Sequence, residues 1–305
     1  MSPTKKPYFS IIVPTYNRGN FILKALESLK NQLFKDWECI IIDDGSTDNT
    51  KSLLYNYCRE NPKFKYHYQS NQERSAARNN GIKQAKGKYI CFLDSDDYYL
   101  ECRLENLYNE LIHRKHDLLF TGITYEQNEK RTELKYEFPE QNILDYLAKN
   151  VIGIPQVCLK REIFKIHEFN PEISIGEDFE LWIRLSKEYK FNYQEHNASV
   201  IAVEHNDRSV NLKTSNSPKK QLKTLNHVFS KKHPGYSISE CIKNQKLSNC
   251  FFNMAKHHML NGNYFHSIIM ILKSLIQQPK NKLSKHKLYC LFILSTMRIP
   301  KEYKS

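Results

Sequence analysis

The chain has 305 residues, 40% of them hydrophobic, enough to bury a full core over its first two thirds and leave material for a smaller second unit. Its net charge of +13 is unevenly spread: beyond Asp207 the only acids are Glu240 and Glu302, set against a long series of lysines. A cationic surface of that kind suits nucleic acid, anionic lipid or a phosphorylated acceptor, and charge alone does not choose among them. The eight cysteines stand singly, which excludes a zinc site or a disulfide framework and reads as buried thiols. The polar start Met1 to Pro7, followed by an apolar stretch that stops at Pro14, carries no secretory signal, so a cytoplasmic location is expected.

In chain order, apolar runs at Ser10 to Val13, Cys39 to Ile42, Phe64 to Tyr68, Tyr89 to Leu93 and Leu118 to Thr121 predict strands. Amphipathic stretches at Phe21 to Leu29, Ser52 to Cys58 and Leu104 to Ile112 predict the helices that cover them. Such alternation predicts an α/β domain around a largely parallel sheet. The polar, charged stretch Glu126 to Glu140 predicts an exposed hairpin or mobile loop. A strand at Gln156 to Lys160, a helix at Phe179 to Tyr189 and a strand at Val200 to Val203 follow. Near Ser215 the character changes to a Lys-rich, helical-period extension, giving domains of 1–215 and 216–305. Two apolar stretches of the tail, Ile268 to Ile276 and Leu288 to Met297, fall short of the ~18 to 20 residues of a spanning helix. They read as amphipathic helices that either pack on the domain or lie on a bilayer surface.

Carboxylates recur where apolar runs end: Asp43-Asp44 after the second, and Asp94, Asp96 and Asp97 after the fourth. Parallel sheets bind ligands at those ends. Three carboxylates within four positions repel one another until a divalent cation with oxygen ligands relieves them. No G-x-x-x-x-G-K-[ST] or G-x-G-x-x-G loop is present, so a nucleotide diphosphate would be neutralised by a bridging cation with an Arg or Lys. Arg74, Arg78 and Lys83 precede the fourth strand and suit that role, with exposed surface charge as the plain alternative for Arg74 and Lys83.

Pro14-Thr15-Tyr16-Asn17-Arg18, Asp43-Asp44-Gly45-Ser46-Thr47-Asp48, Ala77-Arg78-Asn79-Asn80-Gly81-Ile82 and Leu93-Asp94-Ser95-Asp96-Asp97, in this order, resemble glycosyltransferase family 2. Ile175-Gly176-Glu177-Asp178-Phe179-Glu180-Leu181-Trp182 is similar to that family's Glu-Asp block, and the likeness runs to roughly Val210. The resemblance implies a GT-A fold, a Rossmann-like mixed sheet flanked by helices, here with a helical C-terminal extension. It further implies an inverting, metal-dependent sugar transfer from a nucleotide-diphosphate donor, a UDP-sugar first of all. A glycan or lipid-linked acceptor is implied, as in cell-surface polysaccharide synthesis, at the inner face of the membrane if the basic tail makes peripheral contact there.

The same resemblance assigns roles. Pro14 shapes the first turn, Tyr16 lies against the nucleobase and Asp44 hydrogen-bonds its edge. Asp94-Ser95-Asp96 matches the D-x-D element, with Asp94 near the ribose or metal and Asp96 a direct ligand of Mn or Mg. His205 falls where many members supply a metal-binding histidine, and its alternative is a surface residue. Asp178 is the expected base, placed opposite the leaving diphosphate and within reach of the acceptor hydroxyl. Glu177 positions that base or contacts the acceptor, unless both acids merely favour a helix amino terminus. Leu181 and Trp182 read as core. One departure is Glu73, where family members often place a glycine after Asn71-Gln72, which unsettles the diphosphate loop and the roles of Arg74 and Arg78.

Two other readings remain. A basic binding protein on an inactive scaffold predicts disrupted acids, yet Asp44, Asp94, Asp96 and Asp178 are intact, and no helix-turn-helix, zinc finger or RNA-binding aromatic motif occurs, so nucleic acid is not an expected partner. A nucleotidyltransferase would need a Gly-rich opening after the first strand, where this chain has Thr15-Tyr16-Asn17-Arg18.

Overall fold

The computed structural model describes residues 6–134, 136–139, 141–150, 152–202, 217–278 and 287–288. The chain divides into two compact units, Met1–His205 and Asn206–Ser305. The boundary expected near Ser215 falls among residues 203–216, outside the described residues.

The first unit begins β1 (Phe9–Thr15), α1 (Ile22–Lys30), β2 (Trp37–Asp44), α2 (Thr50–Glu60), β3 (Phe64–Gln69), α3 (Glu73–Gln84) and β4 (Tyr89–Phe92). It continues through β5 (Tyr98–Tyr99), α4 (Arg103–Arg114), β6 (Leu118–Thr121), β7 (Ile123–Gln127), β8 (Lys130–Leu134) and α5 (Ile143–Lys149). After β9 (Val157–Lys160) come α6 (Glu177–Leu185), β10 (Phe191–Gln194) and β11 (Ser199–Ala202). Seven strands form one sheet in the order β10-β6-β9-β4-β1-β2-β3. β1 runs parallel to β2 and β4, and β2 to β3, whereas β9 lies antiparallel between β4 and β6. The sheet is therefore mixed, as the resemblance implied. The exposed hairpin expected after Glu126 is β7 with β8, paired antiparallel in a second, four-stranded sheet ordered β5-β11-β7-β8.

Burial explains the layering. β2 is buried along its whole length, the pattern of a strand covered on both faces. Alternate residues of β1 divide between the two faces. Phe9, Ile11 and Val13 enter the main core with Ile22, Leu26 and Leu29 of α1 and with Leu104, Leu107 and Leu111 of α4. Ile12 faces α3, and there Gly81 is required: a Cβ at that position would lie 2.5 Å from Ile12 Cγ2. Cys39, Cys91 and Cys158, on β2, β4 and β9, are fully buried thiols. Leu181 and Trp182 are core residues of α6, and the Trp182 indole donates to the Ile152 carbonyl at 3.0 Å.

The second unit contains α7 (Ser217–Val228), α8 (Glu240–Leu260) and α9 (Tyr264–Gln277) among the described residues. α8 and α9 form an antiparallel pair around Phe252, Ala255 and Ile271, closed by Gly262 at φ +75°. Serines zip the pair together: Ser248 Oγ donates to Ser274 O at 2.7 Å, Ser274 Oγ to Ser248 O at 2.6 Å and Ser267 Oγ to Ala255 O at 2.9 Å. The apolar stretch Ile268 to Ile276 lies on α9, whereas most of Leu288 to Met297 lies outside the described residues.

Candidate active site

Because β1, β2, β3 and β4 are parallel, their carboxyl ends share one edge, and Pro14, Tyr16, Asp44, Asp94 and Asp96 lie at or just past it. Past β1, Asn17 adopts φ +51° and crosses to the turn after β2. Its amide donates to Ser46 Oγ at 2.9 Å, and its Oδ1 accepts from the Thr47 amide at 2.8 Å. Tyr16, one residue earlier, is left 46% exposed, so its ring is open to a planar ligand. Pro14 occupies β1 itself, paired with Ile42, directly before that exit.

Asp43 and Asp44 end β2 with opposite orientations. Asp43 is fully buried and braces the turn, accepting from the Ser46 amide at 2.9 Å and the Tyr66 hydroxyl at 2.8 Å. Asp44 meets the loop after β3: Gln69 Nε2 donates to its Oδ1 at 2.7 Å and the Gln72 amide does so at 2.8 Å. Asn71 Nδ2 also donates to the Asp44 carbonyl at 2.9 Å. Burial raises the Asp44 pKa, and the Gln72 and Gln69 bonds oppose that rise. Gly45, at φ +85°, lets this turn touch the loop, since a Cβ would sit 2.8 Å from the Asn71 nitrogen. Gln69, Asn71 and Gln72 were not among the expected site residues; their signal was an amide cluster at a strand end.

The centre of the site is Arg78. It projects from α3 and is only 2% exposed. Nη2 donates to Asp94 Oδ1 at 2.9 Å and Nη1 to Glu177 Oε1 at 2.6 Å, with the guanidinium 5.5 Å from the centre of the Phe169 ring. Burial alone would lower the Arg78 pKa, but the two carboxylates raise it, so the cation persists. Arg74, one turn earlier, reaches Glu177 at 3.8 Å. Neighbouring polar groups lock α3 to the segment before α6. Asn79 exchanges two hydrogen bonds with the Phe169 backbone, at 2.8 and 2.9 Å, and Ser75 Oγ donates to Ile173 O at 2.9 Å. Lys83 pairs at the surface with Glu168 at 3.6 Å.

Following β4, Asp94 and Asp96 are partly exposed while Ser95 and Asp97 are buried. Asp97 turns away from them, and its Oδ1 accepts from the Ala202 amide at 3.2 Å, at the last residue of β11. β11 also pairs with β5, so the acidic turn is tied to the strand that leads toward position 205. His205 itself lies outside the described residues. Asp94, oriented by Arg78, and Asp96 are partly exposed carboxylates, the kind of hard oxygen donor that suits Mn or Mg.

Asp178 occupies the first turn of α6 after Gly176, which turns the chain at φ +76°. Its Oδ1 accepts from the Phe179 amide at 2.7 Å. Burial first, and the neighbouring Glu177 charge second, push its pKa up to about 6, against the pull of the Phe179 amide and Arg78. Asp94 adds to the rise. Arg78 thus brings together the turn after β4 and the start of α6, one acid on each side, with Asp178 beside them.

Residues 10–165 match the family described as Glycosyl transferase family 2. An uncharacterized glycosyltransferase of Rickettsia felis is 35% identical over 182 residues, 58% of this chain and 30% of that protein. The GalNAc(5)-diNAcBac-PP-undecaprenol beta-1,3-glucosyltransferase of Campylobacter jejuni is 32% identical over 61% of this chain and 62% of its own length. The chain thus spans less than two thirds of these relatives. Among solved structures, residues 1–349 of S. aureus TarS in complex with UDP-GlcNAc superimpose with a TM-score of 0.62 at 19% identity, covering 94% of this chain and 88% of that one. A Pyrobaculum calidifontis mannosyltransferase in complex with GDP-Man and Mn2+ gives 0.55 at 16% identity, covering 98% and 83%. With a matching family over half its length, and the GT-A fold of those structures, this chain belongs to glycosyl transferase family 2.

Proposed function

We propose that the protein transfers a sugar, with inversion, from a UDP-sugar to a hydroxyl of a glycan or lipid-linked acceptor. The observation that carries this reading is the Asp94–Arg78–Glu177 bridge, which joins the acidic turn to the residue directly before Asp178, the proposed base. Tyr16 would stack on the uracil ring while Asp44, held by Gln69 and Gln72, accepts from its edge. Asp94, Ser95 and Asp96 face the ribose and diphosphate, and Asp94, Asp96 and His205 would hold Mn or Mg. Bound there, the cation supplies the positive charge that offsets charge building on the departing diphosphate. Arg78 acts on the donor indirectly, by holding Asp94 and Glu177 in place.

Asp178 takes the proton of the acceptor hydroxyl as that oxygen forms its bond to the anomeric carbon and the bond to the diphosphate oxygen breaks. One displacement from the opposite face inverts the centre. A carboxyl with a pKa near 6 is ionised at neutral pH yet more basic than an ordinary aspartate, as a general base requires. TarS was crystallised with UDP-GlcNAc, and the Campylobacter relative carries an undecaprenol-linked acceptor in its name, which supports the donor and acceptor classes. Such an acceptor would place the reaction at the cytoplasmic face of a membrane.

The test presents the purified chain with UDP-, GDP-, CDP- and dTDP-sugars, with and without Mn, reading thermal shift and donor consumption. A Mn-dependent response to a UDP-sugar is expected, and no response to any nucleotide sugar would overturn the reading. Asp96→Ala should make nucleotide affinity indifferent to Mn, and a retained response would refute this placement of the cation.

A further inference from the structure

α9 is apolar on two opposite sides, and among the described residues only one of them is packed. Ile271, Ser267 and Ser274 are buried against α8. Phe265, Leu272 and Ile276 point the other way and are 65%, 45% and 76% exposed. Their spacing of seven and four residues, with partly buried Ile269 between them, stacks them along one narrow stripe of a 3.6-residue helix. Met259 and Leu260, at the end of α8 just before the Gly262 turn, are exposed as well, adding apolar surface at the tip of the hairpin.

The unit that carries this stripe has charge of nearly a single sign. Residues 217–278 carry nine lysines and one acid, Glu240, and α9 itself contains no acidic residue. Lys219, Lys220, Lys223, Lys231, Lys232 and Lys273 are exposed. The chain up to Asp207, by contrast, has slightly more acids than bases, so the excess of positive charge belongs to the tail. An exposed apolar stripe within a cationic unit calls for a partner that is both oily and anionic. A second copy would bring like charge against like charge, and a nucleic acid offers nothing to cover Leu272 and Ile276. No described helix is long and apolar enough to cross a membrane, so contact would be at the surface.

We infer that the outward face of α9, with the α8–α9 tip, docks on an anionic lipid bilayer. This assigns the contact to particular side chains and holds whether or not the sugar-transfer reading survives. The test is co-sedimentation of the full chain with vesicles of phosphatidylcholine alone or with about one third phosphatidylglycerol. Binding to the anionic vesicles is expected, with at least about tenfold weaker binding to the neutral ones. A Phe265→Ser/Leu272→Gln/Ile276→Gln variant, altered only at exposed positions and checked for an unchanged circular dichroism spectrum, should lose about tenfold or more on the anionic vesicles. Lys219→Ala/Lys220→Ala/Lys223→Ala should lower affinity most at low salt.

Any of these results would overturn the inference: equal binding to both vesicle types, no binding to either, unaltered binding by the apolar variant, or an RNA affinity lost with the lysines while vesicles go unbound. A change in sedimentation mass of the apolar variant with vesicle binding intact would give the stripe to self-association instead. Nucleotide-sugar consumption measured on the same proteins in solution should not change, which separates this result from failure of the catalytic reading.

Discussion

α3 and α9 depart from ordinary burial in opposite directions. α3 buries Ser75, Arg78, Asn79 and Gly81 toward the first unit's interior, whereas α9 leaves Phe265, Leu272 and Ile276 in water. A buried polar face is tolerated when its groups find partners, and on α3 those partners are the backbone before α6 and the carboxylates of Asp94 and Glu177, with the Arg78 Nε left without a hydrogen bond among the described residues. An exposed apolar face persists without aggregation pressure when something else covers it in use. Each helix thus has an anomalous face to account for: on α3 by the ion pairs of the proposed catalytic site, on α9 by the proposed membrane contact.

The comparison breaks most visibly at Arg78. Arg78→Met removes the cation while leaving Glu177 buried, so the fold should lose about 3–5 kcal/mol, read as a lower urea midpoint at constant slope. A loss below about 1 kcal/mol would mean that the bridge is incidental. Asn79→Ala should cost about 1–3 kcal/mol by orphaning the Phe169 backbone groups, measured the same way. Glu73 gives a smaller effect of opposite sign. It begins α3 at φ +69°, a conformation in which a side chain is strained and glycine is not, in the very position where the family resemblance leads one to expect glycine. Glu73→Gly should therefore raise stability by up to about 1 kcal/mol in thermal melts, and a drop would show that the side chain compensates for its backbone.

The same contrast explains what can be read from the residues alone. β1, β2 and β4 are legible because they are continuous apolar runs, and α1 and α4 because their core-facing residues repeat every three or four positions. α3 has almost no apolar periodicity, since its inward face is small and polar, so only the motif draws notice to it. β5 and β10 escape because two and four residues, with tyrosine, asparagine and glutamine among them, carry no clear alternation. The reversed direction of β9 is a matter of topology that its sequence does not encode. Within the site, the acids are legible at strand ends. Their connection is not, because Arg78 and Glu177 are 99 positions apart in the chain and meet only through packing. Asp97 reads as part of the acidic turn or as a cap of the segment after it, and its side chain also reaches β11.

Acidity offers a further check on the polar side of the comparison. The Asp178 pKa is raised to about 6 by burial and by the Glu177 and Asp94 charges, with Arg78 opposing, so the proton-free base is lost as pH falls through that value. Transfer rate should accordingly decline below about pH 6. For stability the sign is reversed: the folded state binds this proton more tightly than the unfolded state, whose carboxyl titrates near about 3.9, so the penalty is present above about pH 6 and fades as pH falls toward about 4. Asparagine at the same position escapes that penalty at neutral pH.

Asp178→Asn is thus the most direct measurement. The account predicts Mn-dependent UDP binding within about twofold of the parent, sugar transfer reduced about 100- to 10,000-fold and the fold more stable by about 1–2 kcal/mol at pH 7. Equal loss of binding and transfer, with a less stable fold, would contradict it and make Asp178 a structural residue.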